Sequence, residues 1–272
     1  MIHRDRPAVI EVHLHGIGLL GPGLPGYTDD SRALLAGRRL HRFEPTPDPV
    51  APLLPPNERR RCSALVRHAL AVAEEAIRAA EVDAADLATV FASSGGEYAI
   101  LDRICAALAS PERAVSPTLF HHSVHNAAAG YFAIATGSRR SSTALAAYDA
   151  TFAAGLIEAA AQVAAEAHPV LFVAYDLPPP EPLYPARPLS APFALALVLG
   201  GQRTNAMARL RVDLCDRDTP VTRLSDPSLE ALCRGNPAAR GLPLLVALAR
   251  GATERVVFEY LEDRHLAVRI AP

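Results

Sequence analysis

The sequence predicts an α/β fold in which helices cover a sheet with parallel pairings. Two observations carry this prediction. Apolar, strand-like segments alternate with helical segments from residue 8 to residue 200, and half of the 272 residues are hydrophobic, which is enough for a well-buried core. Residues 1–205 are predicted to form this α/β domain, and residues 206–272 a short α+β element that completes the same domain.

The N-terminal part of the chain begins with a strand and is predicted to lead into a long helix. The segment "AVIEVHLHGIGLL" alternates apolar and polar side chains, as a strand does. The segment "DDSRALLAG" is predicted to be a short helix, and residues 42–56 are rich in proline and irregular. Asn57 is predicted to cap a helix over residues 58–80, because apolar residues recur there at steps of three and four.

Strands and helices alternate through the rest of the chain. Gly95 and Gly96 close the buried strand "LATVFASSGG", and the proline-rich residues 177–188 are predicted to form a surface loop. The other predicted elements are helices over residues 97–108, 126–136, 148–167 and within 227–249, a lead-in segment over 141–147, the strands "PVLFVAYD", "APFALALVLG" and "ARLRVDLC", and the terminal hairpin "ERVVFEYLEDRHLAVRI".

Composition and charge argue against several classes of function. The formal net charge of −2 gives no basis for binding nucleic acid, and no apolar run reaches the length of a membrane span. Cys62, Cys105, Cys215 and Cys233 are scattered without a C-x-x-C pair, so neither a zinc site nor a disulfide scaffold is predicted. Residues 3–6 are polar and lack the apolar core of a signal peptide. We expect a cytoplasmic protein without a metal or cofactor.

Several separate stretches form a recognisable series. They are "VHLHGIGLLGPGLPG", "VFASSGGEYAI", "SPTLFHHSVHNAAAGYFAIATG", "SSTALAAYDATFAAGLIEA", "PVLFVAYD" and "PFALALVLG". Together they resemble the N-terminal half of a β-ketoacyl synthase, a family with the thiolase-like fold, and the resemblance covers residues 8–200. It implies a ketosynthase fold reduced to its N-terminal half and finished by a short helix-and-hairpin element.

The nucleophile position departs from the family pattern. The family places a cysteine in a T-A-C-x-S-G turn. Alignment on Asp149 puts that cysteine at Ala144, and alignment on Thr143 and Ala144 puts it at Leu145. Neither side chain can form the thioester that a condensing enzyme needs. The histidine pair of the family's second half is also missing, since His265 is the only late histidine. The resemblance therefore implies a catalytically inactive chain-length factor, of the short kind found in bacterial aryl polyene pathways.

The resemblance also implies partners and site residues. A chain-length factor forms a heterodimer with an active ketosynthase and shapes the tunnel for an acyl chain that an acyl carrier protein delivers and that malonyl units elongate. The implied tunnel wall consists of Leu119, Phe120, His121 and His125. The implied partner interface consists of Asn126, Ala129, Gly130, Ala133, Ile134, Ser141, Ser142 and Thr143. Phe120 is either the stop for the growing chain or an ordinary core residue.

Other interpretations stay open at this point. Hydroxyl groups near the turn and neighbouring histidines allow a stand-alone serine-dependent hydrolase or acyltransferase acting on acyl thioesters, although no G-x-S-x-G motif occurs. The groups concerned are Ser123, Ser141, Ser142, His121, His122 and His125. These histidines could also bind a metal, but loop or interface positions are the better interpretation. A scaffold protein that stabilises a ketosynthase without shaping a tunnel is a further possibility.

Overall fold

The computed structural model describes residues 9–272; residues 1–8, on which the interpretation of the N-terminal segment depends, lie outside the described part. The strands are β1 (Ile10–Leu20), β2 (Ala88–Ala92), β3 (Ser142–Leu145), β4 (Val170–Asp176), β5 (Phe193–Gly200), β6 (Ala208–Asp216), β7 (Glu254–Glu259) and β8 (Arg264–Ala271). The helices are α1 (Asp29–Leu35), α2 (Pro56–Arg59), α3 (Ala64–Ala80), α4 (Tyr98–Ala109), α5 (Pro117–His122), α6 (Ala127–Thr136), α7 (Thr151–Glu166), α8 (Pro227–Gly235) and α9 (Leu242–Arg250).

The eight strands form one mixed sheet in the order β3-β2-β4-β5-β1-β6-β8-β7. β2 pairs in parallel with β3 and with β4, and the other neighbouring pairs are antiparallel. Parallel pairing occurs where helices connect the strands, as parallel strands require a crossover. The predicted parallel pairings are therefore confirmed for three strands, and the rest of the sheet is antiparallel.

The central strand β4 is buried on both faces, which explains its unbroken apolar sequence. Phe172 and Ala174 point into the core that contains α7. Leu171 and Val173, which alternate with them, point into the core that contains α3. Helices thus cover both faces of the sheet, and two apolar cores sandwich its centre.

Two glycines of β1 bring α3 unusually close to the sheet. A Cβ atom at Gly16 would collide with the carbonyl oxygen of Ala76, and one at Gly18 with the carbonyl oxygen of Val72. Both colliding atoms belong to the helix backbone, so no side-chain movement could relieve the clash. The glycines therefore set the helix-to-sheet distance on this face.

The long helix predicted over residues 58–80 is wrong at its start. α2 ends at Arg59, and α3 begins at Ala64 after Ser63. The Ser63 Oγ accepts a hydrogen bond of 3.1 Å from the Val66 N–H, which is the bond of an N-cap residue. Ser63 is the effective cap because the buried face begins immediately after it at Leu65, whereas α2 buries none of its residues.

The C-terminal element extends the same sheet. β6 pairs with β1, β8 pairs with β6, and β7 pairs with β8. α9 packs against β7 and β8 and also contacts α1 near the N-terminus. The division of the chain at residue 205 stays a prediction. Within residues 9–272, no helix combines the length and the apolar character needed to cross a membrane.

Candidate functional site

The carboxyl ends of the three parallel strands meet at one end of the sheet. β3 leads into the turn before α7, β2 leads into the Ser93–Glu97 segment before α4, and β4 ends at Asp176. Ligand sites of α/β proteins form outside the carboxyl ends of such strands. This end of the sheet is therefore the candidate site.

The turn between β3 and α7 lies later in the chain than predicted. Ala144 and Leu145 are inside β3, in register with β2. The strand ends at Leu145, and the chain turns at Tyr148, whose φ of +51° lies in the left-handed region. Ala144 and Leu145, the predicted vacant nucleophile positions, therefore lie in the strand before the turn, and the residue at the turn itself is Tyr148.

The turn between β3 and α7 carries no thiol, and two hydrogen bonds hold its backbone. The Ala147 N–H donates to the Thr151 Oγ1 at 3.0 Å, and the same hydroxyl donates to the Tyr148 carbonyl oxygen at 2.7 Å. The first residue of α7 thus fixes the turn. Cys62 and Cys233 lie elsewhere and are buried, and burial raises the pKa of both thiols. Their environments are those of structural cysteines rather than of activated nucleophiles.

A charged cluster surrounds Tyr148. The Arg187 guanidinium lies 3.7 Å from the centroid of the Tyr148 ring, and an Arg187 nitrogen is 2.8 Å from the Asp149 carboxylate. Arg240 lies 3.8 Å from Asp149 and 3.1 Å from Glu259. Ion pairs therefore connect the turn to the proline-rich loop and to β7.

Asp176 is a buried carboxylate at the end of β4. Its Oδ1 accepts hydrogen bonds from the Ser93 Oγ at 2.9 Å, the Ser94 N–H at 2.8 Å and the Ser94 Oγ at 3.0 Å. Its Oδ2 has no hydrogen-bond partner among residues 9–272. Burial raises the Asp176 pKa to about 6, although the three donors oppose the shift. The carboxylate ties the end of β4 to the turn after β2.

Glu97 is a second buried carboxylate at this end of the sheet. The Ser63 Oγ donates a short hydrogen bond to Glu97, while burial raises the Glu97 pKa to about 7. Nearby, the His125 Nε2 bonds to the Ser93 carbonyl oxygen at 2.9 Å, and its ring packs against Gly96, where φ is +63°. His125 therefore joins the segment before α6 to the turn after β2.

The sequence reasoning did not identify four polar residues of this site, namely Glu97, Asp149, Asp176 and Arg187. Two of them carried a usable signal, because Glu97 directly follows the Gly-Gly turn and Asp176 directly ends a buried strand. Polar residues at the carboxyl ends of parallel strands converge, so those two could have been grouped. Arg187 lies in an irregular loop, where periodicity gives no information.

An open groove runs beside this end of the sheet, between α2, α5 and α6. Its volume is about 1070 Å³. Its apolar side includes Phe120, Val124 and Ile134, and its polar side includes Arg61 and His122. The three apolar side chains are exposed, and a contiguous exposed apolar surface is typical of a ligand or partner site.

Two of the four residues expected in a tunnel wall line this groove. Phe120 and His121 do so, and the Phe120 side chain is 69% exposed, so its interpretation as a core residue is wrong. Leu119 is half-buried and is not among the lining residues of the groove. His125 is held by Ser93 and is likewise not a lining residue.

The residues expected at a partner interface divide into exposed and buried positions. Asn126, Gly130 and Ile134 lie one turn apart on the exposed face of α6 and line the groove, and the Ile134 side chain is 64% exposed. Ala133 is half-buried. Ala129 is only 6% exposed and packs in the core with α3, so its assignment to the interface is corrected. The remaining three positions lie at the β3 edge, with Ser141 and Ser142 exposed and Thr143 half-buried.

The serines near the turn have other partners than a catalytic base. The Ser142 Oγ bonds to the Thr89 Oγ1 at 2.8 Å, the Ser141 Oγ to Glu166 at 3.3 Å, and the Ser123 Oγ to the Phe120 carbonyl oxygen at 2.8 Å. No hydrogen bond within the described part of the chain joins any of these serines to a histidine. In residues 9–272, no group of three His, Cys, Asp or Glu side chains is arranged to hold a metal ion.

Comparison with known families identifies the class of protein. Residues 38–256 match the model of the beta-ketoacyl synthase N-terminal domain, so the chain belongs to this family. The predicted resemblance and the predicted thiolase-like fold are both confirmed. None of the curated proteins matches the sequence.

Solved structures share the fold over almost the whole chain. A chain of "Ketosynthase (ApeO) in Complex with its Chain Length Factor (ApeC) from Xenorhabdus doucetiae" is 22% identical, with a TM-score of 0.72 over 96% of this chain and 99% of that chain. A chain of the AntDE:AntF complex, a type II PKS acyl-carrier protein with its ketosynthase, is 13% identical, with a TM-score of 0.73 over 97% and 99%. A chain of the ishigamide ketosynthase/chain length factor is 12% identical, with a TM-score of 0.70 over 96% and 99%.

Proposed function

We propose that this chain is a non-catalytic chain-length factor that pairs with an active β-ketoacyl synthase. The observation that carries the proposal is the strand-to-helix turn between β3 and α7, which contains Ala147 and Tyr148, with Tyr148 at a positive φ, and no cysteine. A condensing enzyme must carry the acyl group on a thiolate. The partner would supply that thiolate and the histidine pair, which this chain lacks.

The edge of the sheet next to this turn supports pairing. β3 is the first strand in the sheet order, and no other strand of residues 9–272 pairs with its outer side. The carbonyl oxygens of Ser141 and Leu145 point inward and accept bonds from β2. By the alternation of a strand, the N–H and carbonyl groups of Ser142 and Ala144 point outward. An exposed set of such groups is a template for a strand of another chain.

The groove beside α6 supports a role in shaping the acyl tunnel. Its apolar side, with Phe120 and Ile134, would contact a growing acyl chain once the partner covers the opening. Phe120 is the largest exposed side chain on α5, and a bulky ring limits how far a linear chain can extend. The acyl chain would arrive on an acyl carrier protein and grow by malonyl units in the cytoplasm. An aryl polyene or a related polyunsaturated compound is the product class that the resemblance favours.

Co-expression with candidate ketosynthases tests this proposal. The isolated chain should form no acyl adduct with acyl carrier protein substrates, whereas the purified heterodimer should elongate them. In that heterodimer, Phe120→Ala should lengthen the product by two-carbon units, as mass spectrometry of the products would show. Leu108→Ala is the control, because Leu108 is also apolar and exposed, at 52% against 69% for Phe120, but lies outside the groove.

Two results would contradict the proposal. Stable acylation of the isolated chain would show a nucleophile in this chain, and the variant Ser142→Ala would then test the hydrolase alternative. The second result is a heterodimer that assembles fully but makes products of unchanged length with Phe120→Ala and with Ile134→Ala. The chain would then be a scaffold protein that stabilises the ketosynthase without forming a tunnel wall.

A further inference from the structure

Tyr148 combines two properties that rarely occur together. Its side chain is 63% exposed, and its backbone is in the left-handed region at φ +51°. A bulky residue in that region is strained, and glycine would adopt the same conformation freely. An exposed ring contributes little to the core, so the fold itself gives no reason for tyrosine at this position. Strain of this kind concentrates at functional sites.

The exposed ring is also held rigidly. The Arg187 guanidinium stacks on one of its faces at 3.7 Å from the centroid, and Asp149 fixes that arginine at 2.8 Å. The Thr151 hydroxyl bonds to the Tyr148 carbonyl oxygen at 2.7 Å and fixes the backbone. Thus one face of the ring is covered while the side chain as a whole remains largely accessible. A side chain ordered before binding loses little conformational entropy when it binds.

We propose that Tyr148 is an anchor residue that inserts into a pocket of the ketosynthase partner, an inference that rests on the proposed function. Tyr148 follows the last residue of β3 by three positions, so it stands at the end of the edge strand proposed to pair with that partner. Interface hot spots are enriched in tyrosine and arginine and centre on rigid aromatic side chains that fill pockets. The partner feature that fits is an apolar pocket the size of a phenol ring.

Arg187 is a positioning residue in this arrangement. Its side chain is 13% exposed, its Nε and Nη2 atoms have no hydrogen-bond partner within residues 9–272, and it forms an ion pair with Asp149 and stacks on the Tyr148 ring. Leaving buried guanidinium donors unpaired costs free energy, which the stacking on the ring and the ion pair partly offset. We expect Arg187→Ala to release the ring and weaken pairing less than removal of the ring does.

Binding of the full-length chain to the ketosynthase with which it co-purifies tests the anchor. Tyr148→Ala and Tyr148→Gly should each raise the Kd by roughly 30-fold, the effect of losing a hot-spot side chain. Glycine removes the backbone strain that alanine keeps, so Tyr148→Gly should melt at a higher temperature than Tyr148→Ala while binding equally weakly. Leu261→Ala, an exposed apolar residue in the β7–β8 turn, is the control and should bind like the wild type.

The outcomes separate this inference from the proposed function. A wild-type chain that binds no ketosynthase overturns the proposed function, and the anchor with it. A wild-type chain that binds, with both Tyr148 variants binding just as tightly, overturns the anchor alone. A loss of binding that follows a loss of stability, with Tyr148→Gly both melting lowest and binding weakest, assigns Tyr148 a structural role and also overturns the anchor.

Discussion

The two edges of the sheet differ in how their backbone groups are satisfied. At the β7 edge, the Thr222 N–H donates to the Val257 carbonyl oxygen at 3.0 Å, and the Val257 N–H donates to the Thr222 Oγ1 at 2.9 Å. A loop thus caps this edge. At the β3 edge, the outward groups of Ser142 and Ala144 have no such cover within the described residues. Proteins protect edges that must stay unpaired, so the contrast supports the proposal that a partner pairs with β3.

The side chains at the two edges also differ, with charged groups near β7 and exposed apolar or aromatic groups beside β3. Near β7, Glu259 lies in ion pairs with Arg223 at 3.6 Å and with Arg240 at 3.1 Å. Beside β3, the exposed side chains include Ile134 and Tyr148, which are apolar or aromatic. Charged edges resist association and apolar ones favour it. Backbone and side chains therefore point to the same edge.

The largest effect is expected from blocking the backbone of β3. Ala144→Pro removes an N–H that points away from β2, so the internal ladder stays intact and the chain should keep its thermal stability. Pairing with a ketosynthase should weaken by at least about 10-fold, because one hydrogen bond of about 1–1.5 kcal/mol would be lost and the proline ring would project toward the incoming strand. Titration of the purified subunits measures this. Undiminished pairing by a folded variant would show that the partner does not use this edge.

At the β7 edge, where Thr222 caps the strand, we expect a substitution to lower stability without affecting pairing. Thr222→Val removes the acceptor for the Val257 N–H, and a buried donor left unpaired costs about 1–3 kcal/mol of unfolding free energy. Pairing with a ketosynthase should not change. Thr219→Val is the control in the same loop, since the described residues give the Thr219 hydroxyl no hydrogen bond. If the Thr222 variant instead lost its partner at unchanged stability, the assignment of the two edges would be reversed.

The sequence was sufficient to predict the strands, but not to predict where the helices begin or which of their faces are buried. β4 and β5 are buried on both faces, so their unbroken apolar sequences identified them. The start of α3 was missed because Asn57 and Ser63 are both good caps, and only packing against the sheet decides between them. In α6 nearly every residue is small or apolar, so no periodicity separates the buried Ala129 from the exposed Ile134.

The site was harder to predict for similar reasons. The segment from Thr143 to Ala147 reads Thr-Ala-Leu-Ala-Ala, which gives no signal for the point where the strand ends. The bond between Ser93 and Asp176 joins residues 83 positions apart, and only the parallel pairing of β2 with β4 brings them together. The absence of a cysteine from residues 141–150 follows from the sequence, whereas the residue that stands at the turn could be found only from the fold.

The free energy of unfolding should depend on pH through Glu97, the buried carboxyl group near the β3 end of the sheet. Its pKa is about 7 in the folded chain against an ordinary value of 4.5, because burial disfavours the charged form. The folded state therefore holds a proton that the unfolded state has lost between these values. Stability should fall as the pH rises from about 4.5 to 7, by up to about 3 kcal/mol. Asp176, with its pKa raised to about 6, acts in the same direction.

Denaturant unfolding of Glu97→Gln across this pH range checks the effect. Glutamine can still accept the Ser63 hydrogen bond but does not titrate, so the variant should lose the part of the pH dependence that comes from Glu97 and keep the part that comes from Asp176. Glu112→Gln, at an exposed position on the α4–α5 loop, is the control and should retain the wild-type profile. Parallel profiles for wild type and Glu97→Gln would contradict the assignment.

The smallest effect is expected at the charged β7 edge. Glu259→Gln breaks contacts of 3.1 Å to Arg240 and 3.6 Å to Arg223, but the Glu259 side chain is about half exposed. Water and salt screen such pairs, so the loss should be about 0.2–1 kcal/mol and should shrink further at high ionic strength. Pairing with a ketosynthase should be unaffected, because this edge lies seven strands away from β3. Thermal unfolding at low and high salt measures this loss of stability. A salt-independent loss above about 2 kcal/mol would contradict the prediction and would mean that the ion pairs from Glu259 through Arg240 to Asp149 support the turn at Tyr148.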